Sequence, residues 1–478
     1  MPSIPSIPSF ALVGQPNEGK TTIMATLAED DRARISPIPG TTQVCQRYPV
    51  TIDGNEVLVF FDTPGFENAA AVSAWFTGNQ NLKDPLSTFI ETFRPTGEFP
   101  QEIEILKPLS EGAAVIYVAD ASRPVRSVDQ QEVEILRLAG TRRIGVINSK
   151  EGRGEYLKEW KRFMSRDFNH VHEFNGHRAT FKDRLRLLNA ARAIIPEWED
   201  AMERSIRSLQ TDWEGRIKNV ARLIVEDLRT LMELRQRRRI QSPGDETRAA
   251  AKAKQDLMEA IREREQAFRK KVCKIFHHSN QKWEVSKLLE QDLFSETVWR
   301  CLGLHHKQLV MAGAIIGAII GGIIDAHTAW ASLGLAMVVG GASGAVVAWW
   351  SADKAVDVKI PKISIGPFSW GGGKMGGRQA EASISTLSNL LWIILDRYLI
   401  YTGLCAGWSH GRRDQKAVKI DSDGQKDGIT ASWNRDQRGK VTDYVGHIRR
   451  KRKSQEKLDA AERSLHQLLI DEIRKLTG

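Results

Sequence analysis

The sequence predicts a doubly wound α/β domain over residues 1–180, followed by a mainly α-helical chain that carries a glycine-rich apolar hairpin. Three observations predict this. Short apolar runs that read as buried strands alternate with helical stretches through the first domain. A glycine-bearing loop, GQPNEGKT at residues 14–21, joins the first of those runs to a helix. Beyond residue 181 the apolar residues recur at helical spacing, as in Leu187, Ala191 and Ile194, or Ile217, Val220 and Ile224. A length of 478 residues, 41% hydrophobic and 27% charged, describes a globular chain of two or three domains.

The run Phe10-Ala11-Leu12-Val13 is the first strand. The loop after it fits G-x-x-x-x-G-K-[ST] through Gly14, Gly19, Lys20 and Thr21. Its backbone N–H groups can cradle phosphate oxygens, with Gly14, Asn17, Glu18, Gly19, Lys20, Thr21 and Thr22 as the nucleotide-contacting set. Lys20 brings a cation to the outer phosphates and Thr21 offers a hydroxyl to Mg2+. The helix from Thr22 to Leu27 points its N-terminus at the phosphates. The strand Glu56–Phe61 ends in Asp62-Thr63-Pro64-Gly65, where Asp62 can hold magnesium through water and the Gly65 N–H can sense the γ-phosphate. Pro39-Gly40-Thr41-Thr42, between the two, offers a loop threonine to the same ion. A strand over 112–120, a helix near 128–139 and a strand over 143–148 continue the alternation, and a softer strand covers 168–174.

The elements GQPNEGKT, PGTT and DTPG resemble the G1, G2 and G3 motifs of the TrmE–Era class of GTPases, over about residues 10–180. The resemblance implies GTP and GDP as ligands and slow hydrolysis of GTP. It implies Lys20, Thr42 and Gly65 as the catalytic set, and Thr21, Thr42 and Asp62 as the magnesium set. In some members an asparagine at the position of Asn17 helps to bind an activating K+ ion. The residue after Gly65 is Phe66, which cannot orient water, so hydrolysis would need a monovalent cation, a residue from elsewhere or a partner. Where the class has N-K-x-D, this sequence has Asn148-Ser149-Lys150-Glu151: the asparagine is kept, and Glu151 is the carboxylate left to read guanine. A further element lies in Glu173–His177.

Residues 67–108 exceed the length of one connection and read as an elaborated switch region where a partner or the second domain docks. Residues 181–308 form a basic helical region broken at Pro243-Gly244. Its cluster Arg235, Arg237, Arg238 and Arg239 reads as a solvated helical face, with phosphate binding as the alternative. The doublets His277-His278 and His305-His306 are poor chelates, since helical neighbours point about 100° apart.

Residues 309–350 hold two uncharged runs with Gly313, Gly317 and Gly321 on one helix face, Trp349 and Trp350 at the end, and lysines or arginines outside. They read as a membrane-inserting hairpin, or as a soluble helical hairpin buried in its own domain; the first run, 16 residues, reaches only about 24 Å. Residues 351–478 form a C-terminal helical region, in which Asp396 and Arg397 interrupt an apolar helical stretch and mark it as a core or amphipathic helix instead of a third span. The layout resembles a bacterial group of uncharacterised GTPases with a G domain fused to a helical domain of unknown function.

The four cysteines form no C-x-x-C pair and read as reduced thiols, and the N-terminal Ser-Ile-Pro repeat reads as an extended tail. A net charge of +10 favours an anionic partner. The leading expectation is a GTP-dependent switch coupled to a membrane-associated helical domain, in the cytoplasm at the inner face of the membrane, with lipid as partner and effector and oligomeric state unspecified. The alternative is an RNA- or ribosome-associated assembly GTPase using the basic helices, although no KH or RRM signature is present. A third is a scaffold that binds nucleotide and hardly turns it over.

Overall fold

The structure is a computed structural model that describes residues 5–31, 42–148, 154–242, 245–278, 293, 356–359, 379–384, 390–411, 428–449 and 455–477. The glycine-rich hairpin 309–350, the doublet His305-His306, Cys301, Thr41, Glu151 with its neighbours Ser149 and Lys150, and the basic run 450–453 lie outside the described residues.

The first domain is built on a six-stranded sheet of order β2-β3-β1-β4-β5-β6. Its strands are β1 (Ser9–Val13), β2 (Gln46–Ile52), β3 (Asn55–Asp62), β4 (Ala114–Asp120), β5 (Arg143–Asn148) and β6 (Val171–Phe174). All neighbours are parallel except the β2–β3 hairpin, which turns at Asp53-Gly54 with both residues left-handed. Strand β1 is wholly buried, as a central parallel strand must be, and its side chains alternate between two cores. Ala11 and Val13 face α2 (Ala69–Gly78), α3 (Pro85–Phe93), α4 (Pro100–Ser110), α5 (Ser127–Leu138) and α6 (Leu157–Met164). Phe10 and Leu12 face α1 (Lys20–Ala28), α7 (Phe181–Ile194) and the start of α8 (Glu199–Glu233). Each such fully buried Phe or Leu contributes about 1.5–3 kcal/mol. The core of the first domain therefore runs past residue 180, through Leu187, Leu188 and Ala191 of α7.

Helix α8 has 35 residues and is about 52 Å long. Met202, Ile206 and Leu209 pack in the nucleotide domain, and Ile217 to Met232 pack in a second core. One rigid element is thus shared by both domains. The second core gathers α9 (Glu246–Ile275), α10 (Leu390–Ala406), α11 (Arg435–Arg449) and α12 (Gln455–Thr477) around α8.

The Arg235–Arg239 cluster is a strand, β7, and not a helical face. Leu234 leaves the helical region at φ −61°, ψ 129°, and β7 pairs antiparallel with β9 (Gln379–Ile384), which also pairs with β8 (Val356–Lys359). The arginines are partly neutralised: Arg237 Nε donates to Glu381 at 2.7 Å and Arg238 pairs with Asp256. The stretch Arg-Gln-Arg-Arg-Arg has no apolar periodicity from which to read a strand, and its partner β9 lies about 140 residues away.

In α10 both interrupting residues are buried and bonded. Asp396 accepts the Thr430 N–H at 2.7 Å and its hydroxyl at 3.0 Å, and Arg397 Nε donates to Glu265 at 2.6 Å. The helix is a core element with an internal polar network. Among the described residues no helix is long and apolar enough to cross a membrane.

Candidate functional site

The loop between β1 and α1 needs two glycines for steric reasons. Gly14 stands at φ +143°, and a Cβ there would lie 2.3 Å from the Val118 carbonyl oxygen. Gly19 stands at φ +95°, and its Cβ would lie 2.3 Å from Asn148 Nδ2. Asn17, exposed at the loop crest, is left-handed at φ 68°, a conformation asparagine tolerates. Lys20, 7% exposed, donates from Nζ to the carbonyls of Gly14 at 2.7 Å and Gln15 at 2.9 Å, so it lies across the mouth of the loop. Burial lowers its pKa.

Asp62, at the end of β3, brings the expected magnesium set together. The Thr21 hydroxyl donates to Asp62 Oδ2 at 2.8 Å and the Thr42 hydroxyl to the same oxygen at 3.3 Å. Asp62 Oδ1 is buried and makes no hydrogen bond among the described residues. Burial raises this carboxyl, opposed by the Thr21 hydrogen bond and by Lys20. Two hydroxyls, a carboxylate and an unsatisfied buried oxygen are the hard-oxygen chemistry that Mg2+ takes, so the residues fit the ion. Gly65 lies against the loop: a Cβ there would be 2.6 Å from Pro16 Cδ.

Asn148 ends β5, directly behind the loop. It is fully buried, its Nδ2 donates to the Glu18 carbonyl at 2.9 Å, and its Oδ1 accepts from the Gly176 N–H at 3.4 Å. It therefore ties the phosphate loop to the 173–177 loop, which the sequence marked only softly. Thr22 is buried in α1.

Several side-chain roles are not legible in the sequence, including that of Glu18, which it marks only as a nucleotide contact. The Glu18 side chain turns inward, accepting the Asp120 N–H and pairing with Arg123, which also reaches Asp129 at 2.8 Å and lies 5.3 Å from the Trp160 ring centre. Glu18 thus braces the loop from both its carboxylate and its backbone carbonyl, which accepts from Asn148. Glu132, pushed up to about 8 by burial, accepts from the Tyr117 hydroxyl at 2.8 Å and from Gln15. The 67–108 insertion is three helices. From α4, Glu102 accepts the N–H groups of Glu67 at 3.0 Å and Asn68 at 2.7 Å, and Glu104 accepts the Cys45 N–H at 2.9 Å. Helix α4 therefore touches the segment that follows Gly65 and the segment that follows Thr42. Phe66, which replaces a water-orienting residue, is 5% exposed and belongs to the core beneath α2.

The second domain grips the far end of α1. Thr26 Oγ1 and Ser409 Oγ lie 2.7 Å apart, and the Gly176 carbonyl lies 2.8 Å from the first and 2.5 Å from the second. The Gly411 N–H donates to Thr26 Oγ1 at 3.1 Å, and a Cβ at Gly411 would lie 2.3 Å from the Thr22 carbonyl oxygen. Glu29, left-handed at the end of α1, pairs with Arg184 and, at 2.7 Å, with Arg216 of α8. Burial would raise its pKa, but these two guanidiniums hold it well below the usual range.

A family model described as "50S ribosome-binding GTPase" matches residues 9–149, and one described as "Domain of unknown function (DUF3482)" matches residues 161–474. GTPase Der of Thermotoga petrophila is 27% identical over 147 residues, covering 31% of this chain and 29% of the relative. Translation initiation factor IF-2 of a Caulobacter strain is 27% identical over 159 residues, covering 31% of this chain and 15% of the relative. The chain thus spans less than a third of the length of these curated relatives. A solved structure of Era in complex with MgGDPNP and nucleotides 1506–1542 of 16S ribosomal RNA is similar at 21% identity, covering 36% of this chain and 51% of that chain, with a TM-score of 0.27. A P-loop GTPase domain therefore leads the chain, and a separate domain of unknown function follows it.

Proposed function

The chain belongs to the family of the domain of unknown function DUF3482, joined to a P-loop GTPase domain, and from that premise we propose that it binds GTP with Mg2+, hydrolyses it slowly, and passes its nucleotide state to the helical domain. The observation that carries this reading is the convergence of Thr21, Thr42 and Asp62, with the unsatisfied Asp62 Oδ1, beneath a loop braced by Asn148.

In this reading the loop N–H groups and Lys20 hold the phosphates, and Lys20 exchanges its two carbonyl partners for phosphate oxygens. Thr21, Thr42 and Asp62 would hold Mg2+, which neutralises charge on the β- and γ-phosphates. The Gly65 N–H faces the γ-phosphate, and Glu151 with Asn148 selects guanine. Phe66 contributes nothing to water orientation, hence the slow rate, and a K+ ion at Asn17 would quicken it. A change at Thr42 or Gly65 reaches α4 through Glu104 and Glu102, and a change along α1 reaches the helical domain through Thr26 and Glu29.

The membrane partner, and a place at the inner face of the membrane, rest on the sequence of residues 309–350; sedimentation of the full chain with anionic vesicles tests them. The ribosome-associated reading is favoured by the +10 charge, and its test is cosedimentation with 50S subunits at two salt concentrations. The central test is binding and turnover of GTP against ATP by the full chain, in K+ and in Na+ buffers, with Lys20→Ala as control. GTP preference with turnover lost in the control is expected. Equal use of ATP sinks the guanine assignment, and turnover that survives in Lys20→Ala sinks the site.

A further inference from the structure

His278, at the end of α9, and His410, beyond the end of α10, meet at Asp31, three residues past the end of α1. His410 Nδ1 lies 2.7 Å from Asp31 Oδ1, and His278 Nδ1 lies 3.6 Å from Asp31 Oδ2. The two imidazoles stack with centres 4.2 Å apart and planes 17° apart. One ligating atom from each of the three residues lies within 4.8 Å of the other two, and all three side chains are at most 7% exposed.

The other ring nitrogen of His278 is spoken for. Its Nε2 lies 3.0 Å from the Cys405 carbonyl oxygen, to which it can only donate. The Nδ1 lone pair then points at a carboxylate, and so does the Nδ1 of its stacked neighbour. A proton or a metal ion can bridge each ring nitrogen to the carboxylate. A ring N–H held by a backbone carbonyl is also the arrangement that orients an imidazole toward a metal. Beside the cluster lies a cavity of ≈20 Å³ lined by His278, His410, Thr26, Glu29, Arg184 and Trp408. That volume admits one water molecule. The nearby cations Arg184 and Arg216 are engaged by Glu29.

We propose that Asp31, His278 and His410 form a binding site for a divalent transition metal of the Zn2+ class, completed by a water in the adjoining cavity. Two imidazoles and a carboxylate are a donor set that Zn2+ accepts. Tetrahedral zinc bonds place neighbouring donors about 3.3 Å apart; His278 Nδ1 and Asp31 Oδ2 stand 3.6 Å apart, and the hydrogen-bonded pair of His410 Nδ1 and Asp31 Oδ1, at 2.7 Å, opens by roughly 0.6 Å to admit the ion. The site stands apart from the Thr21–Asp62 magnesium set and joins three chain segments from both domains. The metal therefore acts as a staple between the nucleotide domain and the helical domain. The doublet His277-His278 is a poor chelate by itself; the fold supplies the missing ligands from positions 31 and 410.

The test is titration of the tag-free, EDTA-stripped full chain with Co2+ as spectroscopic probe, followed by displacement with Zn2+. The expected result is about one equivalent bound, with a visible band of low-symmetry coordination that Zn2+ abolishes. In His410→Ala and in His278→Asn the band should be lost or the affinity fall at least tenfold, while Lys20→Ala keeps both. Circular dichroism establishes which variants fold, and either histidine variant alone suffices. Absence of stoichiometric binding by the wild-type chain overturns the proposal. So does unchanged binding in a folded histidine variant, and the cluster is then held by protons.

Discussion

Asn148 donates its Nδ2 hydrogen to the backbone carbonyl of Glu18 across 2.9 Å, inside a fully buried site behind the phosphate loop. Asn148→Ala leaves that carbonyl and the Gly176 N–H without their partner. We expect GTP and GDP affinity to fall by about 10- to 100-fold, matching the roughly 1–3 kcal/mol cost of buried groups left unsatisfied. Titration with fluorescent nucleotides checks this; equal affinity would mean that the loop holds its shape unaided.

The shared hydroxyl contacts on Asp62 Oδ2 predict that metal and threonine act as one unit. EDTA should weaken GTP binding by the wild-type chain at least tenfold and that of Thr21→Ala far less, because the variant has already lost the contact. A full EDTA effect in the variant would remove Thr21 from the magnesium set.

Glu102 presents one carboxylate oxygen to two adjacent N–H groups beyond Gly65, and is 1% exposed. Glu102→Ala should cost about 2–4 kcal/mol of stability and slow GTP turnover more than it weakens GDP binding. Thermal unfolding and single-turnover rates separate the two effects. Unchanged turnover would reduce α4 to a structural insertion.

Asp396 yields a pH dependence. Burial pushes its carboxyl up to about 7, against the hydrogen bonds from Thr430. Between about pH 4 and 7 the unfolded chain has ionised this group while the folded chain keeps it protonated. The folded state then binds more protons, so this residue makes stability fall as pH rises through that window and level off above it. Asp396→Asn, which can still accept the Thr430 N–H, should flatten that part of the profile in denaturant melts at pH 5, 6 and 7. A slope identical to the wild type would assign the effect to other groups.

Much of the nucleotide domain was legible because its chemistry is local. Gly14 to Thr21 lie within one loop, and Asp62 follows a run of strand residues whose burial their apolarity announces. The edge strand β2 was not legible: QRYPVTI alternates weakly, and only its hairpin with β3 makes it a strand. Arg235–Arg239 reads in sequence as a helical face for a related reason: β7 exists only by pairing with β9. Glu102, Arg123 and Ser409 carry no motif, and their roles come from partners 34 to 383 residues away. Sequence pattern reads what neighbours along the chain do together, and these residues act through neighbours in space.

The grip of Ser409 on the Gly176 loop also sets an order of events during synthesis. The Gly176 loop leaves the ribosome 233 residues before Ser409 does, and the phosphate loop earlier still. At roughly 5–20 residues per second the nucleotide domain therefore exists for about 10–50 s without its clasp. Through that interval α1 holds to Arg184 and Arg216 but lacks the Ser409 and Gly411 contacts, and nucleotide can enter and leave a half-made protein. The chain begins to count its nucleotide state only after nearly all of it has been translated.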